Sequence, residues 1–129
     1  MSGNCPFCSL PAERMILESE LVASFWDGYP VSPGHALIVP TRHSETWFDL
    51  SAEEQAAMTA AIDKVRARIE LEHSPDAYNI GVNSGRAAGQ TVPHVHIHVI
   101  PRYEGDVDDP RGGVRCVVPA KANYWGESE

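Results

Sequence analysis

Long apolar runs are missing from this chain of 129 residues. Its longest uncharged apolar stretch falls far short of the roughly 20 residues that a membrane span needs, so no membrane partner is expected. Cysteine is scarce, with three residues. The segment Met1–Cys5 has no basic flank leading into an apolar run, so a secretory leader is not expected. An odd cysteine count without a leader argues against a disulfide framework and for a reducing, cytoplasmic compartment. Positive charge is also short: 10 Lys and Arg stand against 18 Asp and Glu, for a formal net charge of −8. A sequence-independent grip on long nucleic acid needs a basic face, and that class is excluded. A small phosphorylated ligand held by local dipoles is not.

What remains is an ordinary globular composition, 43% hydrophobic and 22% charged, without repeats or low-complexity linkers. The length fits one domain over residues 1–129, with enough chain to bury about two-thirds of its unfolded surface. Residues 14–18, 21–26 and 35–40 read as short strands, and Ser19-Glu20 is a hairpin-sized connection. Pro30, Pro33 and Gly34 punctuate a turn. A helix is expected over 52–72. Ser51 and Glu54 have capping-box spacing, and Met58, Ile62, Val65 and Ile69 line one helical face. Lys64, Arg66 and Arg68 fall off that stripe, and His73 reads as a solvated cap. Residues 78–82 and 92–102 read as two further strands around a glycine-bearing loop, 84–90. From residue 104 the chain is Gly-, Asp- and Pro-rich and is expected to be irregular, with a short strand near 114–118. Cys116 reads as a small buried hydrophobe. Five strands and one long helix without strand–helix alternation point to an α+β fold with a mostly antiparallel sheet.

Chemistry concentrates at His94, His96 and His98. Side chains on a strand alternate faces, so three imidazoles share one face, while Val95, Ile97 and Val99 share the other. The aliphatic face packs into a core, which leaves the histidine face at least partly open, since nothing on the strand pairs three buried rings. One metal ion bound by all three fits poorly, because His94 and His98 stand roughly 13 Å apart along an extended chain. Nucleophilic catalysis fits better. A histidine with an ordinary pKa near 6.5 is largely a free imidazole at neutral pH, and one ring nitrogen can attack phosphorus. The middle ring is best placed, and the nearby glycine-rich loop can offer backbone N–H groups to phosphate oxygens.

The text from Gly89 to Val99, Gly-Gln-Thr-Val-Pro-His-Val-His-Ile-His-Val, resembles the signature of the histidine-triad family of nucleotide hydrolases and transferases. The likeness extends upstream through Pro33–Pro40 and Asn83-Ser84-Gly85, covers about residues 5–103, and is nearest the fragile-histidine-triad branch, which cleaves dinucleoside polyphosphates. The resemblance implies that His96 is the nucleophile and that His98 orients it and shapes the pocket. It implies that Gln90 and Thr91 meet the phosphates, with the Thr91 hydroxyl assisting the leaving group. Gly89 belongs to the same binding loop. Asn83 is expected near the α-phosphate, Asp27 at the ribose hydroxyls, and His35 near the triad. A homodimer with sheets joined edge to edge is implied as well.

Cys5-Pro6-Phe7-Cys8 has three readings of its own: half a zinc site, a dithiol redox pair, or no special role. Only four residues precede Cys5 and Pro11 follows closely, so the strand-to-helix context of a redox motif is missing. Resemblance to bacterial-type family members implies a structural zinc held by Cys5, Cys8, His43 and His94, which takes His94 out of direct chemistry. No organic cofactor is expected. Three functions stay open: a dinucleoside polyphosphate hydrolase working through a nucleotidyl-histidine, a nucleoside phosphoramidase, and a non-catalytic nucleotide-binding module. Tyr124 and Trp125 are expected to pack, with reach into a partner subunit's pocket as the other option.

Overall fold

The computed structural model describes residues 5–126. Strands β1 (Met15–Glu18), β2 (Val22–Trp26) and β3 (Ala36–Pro40) lead into helix α1 (Ala52–Glu72), followed by β4 (Ala77–Val82) and β5 (Ile97–Arg102). The five strands form one sheet in the order β1-β2-β3-β5-β4, and every neighbouring pair is antiparallel. The α+β architecture expected from the sequence is the observed one.

Helix α1 starts where its capping box stands. Ser51 Oγ accepts from Glu54 N at 3.1 Å, and Glu54 Oε1 accepts from Ser51 N at 2.9 Å. Glu54 also takes two bonds from Arg42, at 2.8 and 3.0 Å, which ties the helix start to the chain leaving β3. Met58, Ala61, Val65 and Ile69 are buried against Val22, Ala36, Ile38, Val95, Ile97 and Val99 on one face of the sheet. Arg66 and Arg68 lie off that stripe and pair with Glu70 and Glu72 one turn on. The helix ends at His73, whose N–H reaches Ile69 O at 2.9 Å. The His73 side chain is half-buried, with its ring edge-on to Trp26, so it is less solvated than a free cap.

The opposite sheet face carries the row Met15, Phe25, Leu37, His98 and Gly81, set by direct cross-strand pairing. Phe7, Leu10 and Met15 pack over its Phe25 and Leu37 end. The tail from residue 105 onward lies over the other end, where Gly113 comes against Asn79.

Three expectations need correction. The last strand does not begin at residue 92. Pro93 has no N–H to give a ladder, and the amides of His94 and Val95 go to Val92 O and Ser44 O, both at 2.8 Å. The ladder therefore starts at Ile97. The short strand near 114–118 is instead a 3-10 turn over Gly113–Val117. Cys116 is exposed rather than buried, because it sits in a turn with no buried residue, its thiol directed back to Arg111 O at 3.9 Å.

Candidate functional site

Although the ladder starts late, side-chain alternation persists through residues 94–99. Val95, Ile97 and Val99 face the helix, as expected. The three histidines point the other way but do not share one environment. His94 is fully buried and His96 is 7% exposed, so the face is more closed than three unpartnered rings would permit. Each ring has found a partner.

The Nε2–H of His94 donates to Pro40 O at 3.0 Å. That leaves the Nδ1 lone pair facing Cys5 Sγ at 3.4 Å and Cys8 Sγ at 3.5 Å. His43 Nδ1 lies 3.1 Å from Cys8 Sγ. The four donor atoms all fall within 4.8 Å of one another. A tetrahedral zinc with the usual Zn–S and Zn–N lengths separates its sulfur and nitrogen donors by about 3.6 Å. The observed gaps, the two thiols and the carbonyl steadying the far ring nitrogen are compatible with zinc. Without an ion, burial first and then Cys5 push the Cys8 thiol pKa up.

His96 Nδ1 meets His94 O at 2.9 Å. A carbonyl only accepts, so Nδ1 carries the proton and Nε2 keeps a free lone pair. Burial lowers the His96 pKa, more than its bond to His94 O and the charge of Asp27 raise it. The ring is a neutral base at neutral pH. Phe7 lies edge-on against it, ring centres 5.0 Å apart, and the His98 ring is 4.9 Å away on the other side.

The proton on His98 follows from a chain of bonds. Val31 N–H donates to His35 Nδ1 at 3.1 Å, so His35 carries its proton on Nε2. That nitrogen is 3.0 Å from His98 Nδ1 and 3.4 Å from Asp27 Oδ2. His98 Nδ1 therefore accepts, and its Nε2–H is left as a donor. Burial first, then the neighbouring rings, hold the His98 pKa down at about 4. The same bonding argues against an ion within Asp27, His35 and His98, which otherwise lie close enough, because the shared proton occupies the space between the two rings. Asp27 is held by Tyr29 N on Oδ1 at 2.7 Å.

Around this centre the loop residues divide. Asn83 and His98 line one cavity. Gly89 closes the 3-10 turn Arg86–Ala88 with φ 102°, a conformation that suits glycine. The Gln90 side chain is used inside the loop, bonding Gly85 N at 2.8 Å, Glu45 O at 2.6 Å and Val92 O at 2.9 Å. It shapes the loop that presents Thr91, which is exposed. Sequence reading missed Phe7 and the Val31 amide. Phe7 passes for a spacer between two cysteines, and a backbone donor leaves no mark in a sequence.

Fold and site together define an α+β protein with a cluster of histidine rings beside a thiol–imidazole cluster. The HIT domain matches residues 11–105. The chain is 39% identical over 107 residues to an uncharacterised HIT-like protein of Methanocaldococcus jannaschii, covering 79% of this chain and 81% of that one. It is 38% identical over 96 residues to the bis(5'-nucleosyl)-tetraphosphatase [asymmetrical] of Schizosaccharomyces pombe, 74% of this chain but only 53% of that protein. The crystal structure of a HIT family protein from Bacillus anthracis superposes with a TM-score of 0.74 at 34% identity, covering 81% and 77% of the two chains. This chain belongs to the HIT domain family.

Proposed function

We propose that the protein is a nucleotide hydrolase that cleaves dinucleoside polyphosphates through a nucleotidyl-histidine. One observation carries the reading: His96 is held with Nδ1–H on His94 O, which leaves a bare Nε2 lone pair on a ring whose centre is 4.9 Å from that of His98. Nε2 attacks the α-phosphorus. The N–P bond forms as the bridging P–O bond breaks, and its electron pair leaves on the oxygen of the departing nucleoside polyphosphate. That oxygen departs as a phosphate anion, with a second pKa near 6, and needs no proton. The Nε2–H of His98 donates to a phosphoryl oxygen as charge builds. Water then attacks phosphorus, the P–N bond breaks, the water proton goes to solvent, and a nucleoside monophosphate is released. Asp27, Asn83 and the Gly89–Thr91 loop hold ribose and phosphates in this scheme. The tetraphosphatase relative in fission yeast supports the substrate class.

The same reading includes a structural zinc at Cys5, Cys8, His43 and His94, and a homodimer with the sheets of two subunits joined edge to edge. Zinc there would cross-link the N-terminal segment to the chain on either side of the site. His96→Ala is expected to abolish release of nucleoside monophosphate from diadenosine tetraphosphate, followed by phosphorus NMR. Turnover by that variant at the parent rate would sink the scheme. Metal analysis should find about one zinc per chain, lost in Cys8→Ser. Sedimentation should report a dimer.

A further inference from the structure

A cavity of about 600 Å³ opens beside His98 on the side away from Phe7. Its floor is the β4–β5 end of the sheet, where His98 pairs with Gly81 and Ile100 with Asn79. At Gly81 a Cβ would project into open space. The facing wall comes from the tail, through Val107, Val114 and Val117, and Val31 stands at the rim. Most of this wall lies beyond residue 105, where the HIT match ends.

The wall is built rather than draped. Arg115 bonds Ala122 O and Lys121 O, each at 2.9 Å. Its guanidinium lies over Tyr124, and that of Arg111 over the Trp125 ring, which packs on Gly112. Yet the valines it presents find little to cover them: Val114 is 64% exposed and Val117 75%. The charged groups lining the cavity are already matched. Arg102 is paired bidentately with Asp106 at 2.7 and 2.8 Å and bonded to Asn79 at 2.6 Å, and Asp109 is paired with Arg111. A neutralised, aliphatic cavity with a few amide groups suits an uncharged ring with a polar edge better than a phosphate chain. On the other flank of His98 the Phe25 and Leu37 end of the row is already covered by protein side chains.

We propose that this cavity seats the second nucleoside of the substrate, the one that departs with the polyphosphate. Its base lies between the tail valines and the β4–β5 floor, with the Asn83 amide available to its polar edge. This rests on the hydrolase reading above, and it makes the tail a specificity element of that site.

The test compares kcat/KM for diadenosine tetraphosphate with that for adenosine 5'-tetraphosphate, which keeps the phosphates and lacks the second nucleoside. The full chain should prefer the dinucleotide on the order of tenfold or more. Val114→Asp and, separately, Gly81→Val should bring that ratio to within about twofold of unity. Gly81→Val fills the floor and Val114→Asp charges the wall, and neither position is packed in the core. A ratio near unity in the parent protein, or one unchanged in both variants, overturns the subsite and leaves the hydrolase standing. A folded protein that cleaves neither compound overturns the hydrolase reading and the subsite with it.

Discussion

At the scale of single residues, His98 shows how burial is converted into pH dependence. Its pKa is lowered from 6.5 to about 4, so between those values the unfolded chain binds a proton that the folded chain refuses. Its contribution to stability is complete above pH 6.5 and is lost as pH falls toward about 4. The midpoint of urea unfolding should drop across that window, and more shallowly in His98→Asn. Gly34 poses a steric question instead. It sits at φ 88°, and a Cβ there would come 2.9 Å from His73 Cδ2 and 3.2 Å from Ile69 Cγ2. Gly34→Ala should therefore lower stability by about 1–3 kcal/mol, read in chemical denaturation. It would also shift the turn that delivers His35. The residue types of the candidate site are plain in the sequence, but their proton positions are not. Those depend on Pro40 O, His94 O and Val31 N, which are backbone atoms brought in by tertiary structure.

Among elements, α1 is the most local and was the most legible, matching residues 52–72 end to end. Its cap and its apolar stripe both lie within the segment that forms it. Ser51→Ala should cost about 1 kcal/mol by unpairing Glu54 N. Ile69→Ala, in the closed layer between helix and sheet, should cost roughly 2–5 kcal/mol, both measured by thermal or urea unfolding. Strand β5 is shorter than its sequence alternation suggests, for the opposite reason. Residues 92–96 alternate like a strand, but whether they join a ladder depends on partners far along the chain, and here Ser44 O supplies the partner. The tail was the least legible. Its form comes from Arg111 on Trp125 and Arg115 on Tyr124, pairings that no periodicity announces.

For the whole molecule, one face of the sheet packs against the helix and the other carries the histidine rings. The first is sealed by α1. The second is bracketed by an N-terminal segment at one end and the tail at the other, with His96 and His98 between them. Bound metal would hold the N-terminal bracket in place, so exhaustive chelation should lower the Tm by several degrees, and His43→Ala should lower it without added chelator. Calorimetry checks both. His94 belongs both to the thiol cluster and to the histidine rings. Its ring faces the thiols while its carbonyl grips the proton of His96. No separate hinge thus lies between the thiol cluster and the His96 ring. A disturbance at the cysteines reaches the His96 ring through one residue and one hydrogen bond, and so turns that ring as well as loosening the N-terminal segment.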